Sequence, residues 1–166
     1  MKIKFLLSGL ICILALSAQA QKFKFKSWTW EAYKMQFQAP DSMDITQSDG
    51  KGFGATNKLI SLNIYPRKGE NLNYAGMKSA LMKWAVETKL QYKTYNAYNG
   101  EKQPFYMGDL NKYTGCAIDG TKDGFPATML LISDPLTPEI SFYVWISYAQ
   151  DYQDDALAIL RSFKPM

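Results

Sequence analysis

The sequence predicts an α+β domain in which two main helices pack on a mostly antiparallel sheet of about six to eight strands. Three observations lead there. Apolar and polar residues alternate with period two through much of residues 21–65 and again over 139–148. The period changes to three and four residues over 72–89 and near the C-terminus. Residues 127–132 are apolar at nearly every position, as expected for a central strand covered on both faces.

In chain order, Phe23 and Phe25 alternate with Lys24 and Lys26, and Trp28 and Trp30 continue the pattern, which reads as an edge strand. Tyr33, Met35, Phe37 and Ala39 then alternate with polar residues until Pro40, giving a half-buried strand with one wet face. Asp49-Gly50 separates two short alternating runs, 43–48 and 52–56, and this dipeptide favours the positive φ of tight hairpins. Residues 58–65 continue the sheet, and Pro66 is expected to end it.

Tyr74, Met77, Leu81, Trp84, Ala85 and Thr88 form the stripe of an amphipathic helix over Leu72 to Lys89, with Asn71 or Asn73 as its cap. Tyr113 to Asp119 and Phe125 to Ser133 should pair around the glycine-rich turn 120–124. Over 139–148, Ile140, Phe142, Val144, Ile146 and Tyr148 occupy one face, and Ser141, Tyr143, Trp145 and Ser147 the other. Tyr152, Ala156, Ile159, Leu160 and Phe163 mark a last helix, with Asp151, Asp154 and Asp155 placed to favour its dipole. Lys164-Pro165 closes the chain. The order is four short strands, a helix, three or four strands and a terminal helix.

Residues 1–20 have the layout of a secretory signal peptide: Lys2 and Lys4, an apolar run from Phe5 to Leu16, then Ala18-Gln19-Ala20. The run is shorter than the roughly 20 residues that span a bilayer, so cleavage before Gln21 is expected, leaving no integral membrane segment. Export to a periplasm or the cell exterior follows, and the short basic start resembles bacterial signals. Residues 21–166 are expected to form one domain. Subtracting Lys2 and Lys4 from a net charge of +4 leaves +2, with no clustered cations, which argues against nucleic acid as partner.

Histidine is absent, which excludes Ser-His-Asp and Cys-His catalysis and His-ligated zinc. Cys12 follows Leu10-Ile11 and lacks the small preceding residue of a lipidation site. Cys116 alone remains, so no internal disulfide staples the domain, and a strand position predicts a buried core thiol.

The Phe37-Gln38-Ala39-Pro40 strand end, the strand–helix order and the closing Ala156-Leu157-Ala158-Ile159-Leu160-Arg161-Ser162-Phe163 resemble the PsbP-like superfamily of photosystem II extrinsic proteins, a Ran-binding import factor and exported bacterial proteins. The resemblance implies an α/β/α sandwich and a non-enzymatic assembly or binding role. It implies no site residue.

Ser48-Asp49-Gly50-Lys51 has Ser-x-x-Lys spacing but straddles a predicted turn and lacks the companion motifs of penicillin-binding enzymes, so it reads as a turn. Asp119 and Asp123, and separately Asp151, Asp154 and Asp155, are spaced poorly for a cation, and neither a metal nor another cofactor is expected. The better lead is aromatic. Of the 24 aromatic residues, 23 follow residue 20, and Tyr92, Tyr95, Tyr98, Phe105 and Tyr106 crowd a segment with little periodicity. Together with Tyr143 and Trp145 they are the candidate surface for an envelope protein or glycan. A non-enzymatic binding module is the leading expectation. The alternatives are a histidine-free hydrolase or glycan-processing enzyme using carboxylates such as Asp119 and Asp134, and a small-ligand carrier.

Overall fold

The computed structural model describes residues 22–96 and 100–166, apart from the side chains at 106–109. The segment read as a signal peptide and Tyr98 lie outside the described residues. Strands β1 (Phe25–Trp30) and β2 (Met35–Pro40) are joined by a 3-10 turn at Glu31–Tyr33. A meander of β3 (Asp44–Ser48), β4 (Phe53–Thr56) and β5 (Ile60–Lys68) follows. Helix α1 (Tyr74–Glu87) leads to β6 (Gln91–Tyr92), β7 (Tyr95–Asn96), β8 (Lys102–Gln103) and β9 (Phe105–Leu110). Long strands β10 (Tyr113–Lys122), β11 (Phe125–Ser133) and β12 (Ile140–Tyr148) precede α2 (Gln153–Arg161) and β13 (Lys164–Pro165).

The main sheet has eight strands in the order β3-β4-β5-β12-β11-β10-β6, with β9 also on β10. The described pairings are all antiparallel. A mostly antiparallel α+β architecture with two helices is therefore what the chain adopts. The departure from expectation is a separate three-stranded sheet, β1-β2-β13, in which β1 is an edge as predicted. Lys164-Pro165 closes it by pairing with Met35 and Gln36 of β2. Asn111 Nδ2 donates to the carbonyls of Arg161 and Phe163 at 2.8 and 3.2 Å, fixing that return.

Alternation along the central strands sorts side chains into two cores. On one side, Phe142, Val144, Ile146, Leu130 and Ile132 meet the small sheet and α2. Here Phe37 lies 5.0 Å from Phe163 and 5.2 Å from Phe53 between ring centroids, and all three are buried. Each ring contributes roughly 1.5–3 kcal/mol by leaving water. On the other side, Met129, Leu131, Cys116, Ile118 and Tyr143 meet Met77, Leu81 and Ala85 of α1. β11 is buried on both faces from Ala127 to Ser133, as its apolar run requires.

Several local expectations change in instructive ways. Pro66 does not end β5, which runs on to Lys68. β4 pairs with β5 only as far as Ile64, so beyond that residue β5 has β12 on one side, and a missing N–H on the open side breaks no ladder. The Asp49-Gly50 hairpin forms between β3 and β4, but Gly50 is not left-handed. The turn is held by the Asp49 carboxylate, which accepts from the Lys51 and Gly52 amides at 2.7 and 3.0 Å. These bonds, the Lys51 amide first, hold the Asp49 carboxyl below its usual pKa. The indole of Trp30 and the hydroxyl of Tyr33 donate to the carbonyls of Asp49 and Gly50, tying this loop to the small sheet.

β10 continues three residues past the predicted Asp119, so the 120–124 turn shrinks to Asp123-Gly124, both with positive φ (51° and 83°). Asn73 caps α1, its Oδ1 accepting from the Gly76 amide at 2.9 Å. Tyr74, placed on the apolar stripe, is exposed beneath Lys78 instead. The last helix begins after a 3-10 turn at Gln150–Tyr152, and Asp155 is buried in its first turn, where the helix dipole favours a carboxylate. No helix among the described residues is long and apolar enough to cross a membrane.

Two glycines give opposite predictions. A Cβ on Gly120 would stand 2.5 Å from the Gln91 carbonyl oxygen, because β6 crosses there. Gly120→Ala should lower stability by about 1–3 kcal/mol in urea unfolding. A Cβ on Gly50 meets nothing within 4 Å, so Gly50→Ala should stay within about 0.5 kcal/mol of the parent.

Candidate functional site

Helix α1 lies over β10 and β11, so the face it covers is left partly open above β5 and β12. Period-two geometry places Ser61, Asn63, Tyr65 and Arg67 of β5 on that open face. Tyr143, Trp145 and Ser147 of β12 lie beside them, with Tyr143 opposite Tyr65 and Trp145 opposite Asn63. The result is a cleft running along two paired strands, with α1 as one wall.

Its middle section is about 560 Å³, lined by Asn63, Tyr65, Arg67, Trp84, Thr88, Lys122 and Trp145. Trp84 projects from α1 and stands nearly perpendicular to three rings from the sheet: Tyr143 at 5.3 Å, Trp145 at 6.2 Å and Tyr65 at 6.4 Å between centroids. These edge-to-face pairs make a rigid aromatic corner. Tyr65 is 44% exposed, and Trp84 and Trp145 are half-buried. Toward Lys68 a second section of about 350 Å³ joins at Arg67 and Trp84 and adds Glu70, Lys83, Glu87 and Tyr143. Toward Ile60 a third, about 240 Å³, includes Lys58, Ser61, Phe125 and Ser147.

Charge is unevenly distributed along this line. The middle section has two cations, Arg67 and Lys122, and no carboxylate in its lining. Lys122 Nζ has Asp123 at 3.1 Å, but that carboxylate is largely in water. The acids stand in the second section, where Glu70 accepts from the Tyr143 hydroxyl at 3.1 Å and Glu87 faces Lys83 at 3.9 Å. The Arg67 guanidinium lies 5.5 Å above the Tyr143 ring. Burial, with the Glu70 charge and hydrogen bond adding to it, pushes the Tyr143 hydroxyl up to about 12.

The two aromatic groups singled out from the sequence fare differently. Tyr143 is almost wholly covered by α1, whereas Trp145 opens into the cleft. Phe105 is half-buried in the core beneath α1, near Lys78. Tyr92 is 44% exposed at the short β6 edge. Tyr95 reaches Asp119 instead, its hydroxyl donating to Oδ2 at 2.7 Å while Thr128 donates to Oδ1. Tyr106 lies in β9 opposite Ala117, and Tyr98 is outside the described residues. Tyr92 and Phe105 pair with β10 at Gly120 and Ile118, whereas the Tyr95 hydroxyl reaches Asp119, whose side chain points to the other face, so the three rings form no single platform. Sequence reading missed Tyr65, Arg67 and Trp84. Ending β5 at Pro66 hid Arg67, and Trp84 read as core stripe.

The other candidates resolve simply. Asp119 and Asp134 sit toward opposite ends of the β10–β11 pair, since Asp119 faces Thr128 and Thr114 faces Ser133. About six residues of strand, roughly 20 Å, separate them, well beyond the spacing of paired catalytic carboxylates. Ser48 ends β3 and Lys51 follows in the hairpin loop, which leads into strand β4 and not into a helix. Among the described residues no three of His, Cys, Asp or Glu converge on a common point. Cys116 is fully buried, and burial raises its thiol to about 11.

No family model and no curated protein matches this chain. A crystal structure of a protein from Bacteroides thetaiotaomicron is similar at 12% identity and a TM-score of 0.48. The match covers 85% of this chain and 48% of that one, so this chain spans about half the length of that protein. The likeness is too slight to carry function across.

Two titrations test the site's surroundings. Native Cys116 should react with a thiol reagent far more slowly than the unfolded chain, at a rate set by unfolding. Tyr143 and Cys116 hold their protons more tightly when folded, as do Tyr95, Tyr113 and Tyr148. Stability is therefore fully present below the unfolded-state values and should fall as pH rises through about 10 to 12. Tyr143→Phe should make that alkaline decline shallower in denaturant titrations.

Proposed function

We propose that this chain is an exported binding module of the bacterial cell envelope, and that it recruits an envelope protein or glycan through the Tyr65–Trp84–Trp145 cleft without catalysis. Residues 1–20 act as the signal peptide, and 21–166 form one domain in the manner of the PsbP-like α/β/α sandwich. The observation that carries this reading is the aromatic corner at α1: Tyr65 and Trp145 accessible on a sheet face that is closed over the neighbouring strands, with Trp84 of the helix standing against them. Rings of this kind combine apolar area with rigid geometry, the usual anchor of a binding surface. The absence of histidine and the wide separation of Asp119 from Asp134 favour binding over hydrolysis.

A second reading, a small-ligand carrier, draws on the 560 Å³ volume, which falls within the range of ligand sites. Native mass spectrometry separates the two, since a carrier would emerge from the cell with a bound small molecule.

In cells, N-terminal sequencing of the purified protein should begin at Gln21. The protein should sediment with isolated envelopes, and a Tyr65→Ala/Trp145→Ala variant should lose at least about nine-tenths of that retention while staying folded. Retention surviving protease treatment of the envelopes identifies a glycan, and retention lost identifies a protein. Equal retention of parent and variant would remove the cleft from the function.

A further inference from the structure

Two of the hollows join at Arg67 and Trp84, and the third lies at the Ile60 end of the same two strands. Ser61, Asn63, Tyr65 and Arg67 succeed one another along β5, and Ser147, Trp145 and Tyr143 run beside them along β12. From Ser61 to Arg67 is six residue steps, about 20 Å, so the floor suits an elongated ligand better than a compact one. That floor is made of strands whose backbones are already paired: through Ile64, β5 lies between β4 and β12. A peptide cannot add there as a further strand, because side chains alone face the cleft.

The chemistry of those side chains is specific. Tyr65 and Trp145 rise from the floor, and Trp84 stands at right angles to them as a wall, so a flat-faced ring can stack on one and meet the edge of another. Asn63, Ser61 and Ser147 supply amide and hydroxyl groups that both donate and accept, and the Thr88 hydroxyl, whose proton goes to the Trp84 and Ala85 carbonyls, accepts, matching a ligand rich in hydroxyls. Arg67 and Lys122 flank the rings with no carboxylate in that section. The Arg67 guanidinium is a planar fork that pairs with a carboxylate in two parallel hydrogen bonds. Lys58 places a further cation at the Ile60 end, whereas at the other end Glu70 and Glu87 stand with Arg67 and Lys83.

From this geometry we infer that the cleft binds a linear acidic polysaccharide, a chain of uronic-acid units. A pyranose face stacks on the Trp145–Tyr65 floor, Arg67 and Lys122, on opposite sides of the rings, hold the carboxylates of different units, and the chain extends toward Ser61. The inference rests on the binding reading above and names its ligand class. Nucleic acid fits less well, because of the four cations in the lining Lys83 faces Glu87 and Lys122 faces Asp123, leaving no continuous row for a phosphate backbone.

The test is calorimetric titration of the purified protein with oligogalacturonate and with hyaluronan fragments, each against a neutral galacto-oligosaccharide. At least one acidic chain should bind about tenfold or more tightly than the neutral one, and binding should weaken as salt is raised. Arg67→Ala and Tyr65→Ala, both at exposed positions, should each weaken it about tenfold with the circular dichroism spectrum unchanged. Arg67→Lys should recover part of the loss, because charge returns without the fork. Lys122→Gln provides a second, independent reduction. Equal binding of acidic and neutral chains, indifference to Arg67→Ala, or no binding to either acidic chain overturns the inference. If envelope retention still depends on Trp145 in that case, only the ligand class has failed; if retention is also independent of the cleft, the binding reading has failed with it.

Discussion

Burial of β11 on both faces governs the rest of the structure. Seven consecutive residues, Ala127 to Ser133, leave water, with alternate side chains assigned to two separate cores. A strand of that kind needs partners at both edges and cover on both sides. Its edges are taken by β10 and β12. One face receives α1 through Met77, Leu81 and Ala85, and the other receives the small sheet and α2 through Phe37, Phe163 and Ile159. Neither cover is optional, because exposing either set of alternate residues would forfeit several side chains' worth of transfer free energy.

The two covers differ in extent, and the candidate site follows from that difference. The small sheet and α2 are joined to the aromatic cluster around Phe37 and Phe53, which extends cover beneath β4, β5 and β12. On the opposite face a single 14-residue helix lies over β10 and β11. One helix is about 10 Å wide, roughly two strands, so it cannot shield the rest of the sheet. β5 and β12 adapt to this with small polar residues at Ser61, Asn63 and Ser147, and with Tyr65 and Trp145 packed edge-on against Trp84. The cleft is the uncovered remainder of the sheet, and its rings are rigid because Trp84 is fixed by the same helix that builds the core.

Much of the architecture was legible because periodicity is a direct record of which side of an element faces water. The split of β12 into Phe142, Val144 and Ile146 against Tyr143 and Trp145 is reproduced by the two cores, and the run at 127–132 does occupy the centre of the sheet. Errors arose where the deciding partner is distant in sequence. Pro66 is compatible with β5 only because β4 has ended alongside it, and Gly120 belongs to a strand because β6 needs close approach there. The aromatic segment 92–106 looked like one surface because its residues are near in sequence. Pairing of β9 with β10 sends Phe105 under α1, while the Tyr95 hydroxyl bonds Asp119.

The sequence by itself determined the α+β class, the alternation that separates two faces, and the exclusion of histidine chemistry, since composition and local period need no knowledge of distant contacts. Only tertiary structure decided that Tyr143 is covered while Trp145, two residues on and on the same face, is open. The two side chains obey the same period and differ only in how far the edge of α1 reaches. Such a boundary is set by where a helix lands on a sheet, a global result of packing that no single segment encodes. It is also what brings Tyr65, Arg67, Trp84 and Lys122, from two strands and a helix, into one cleft.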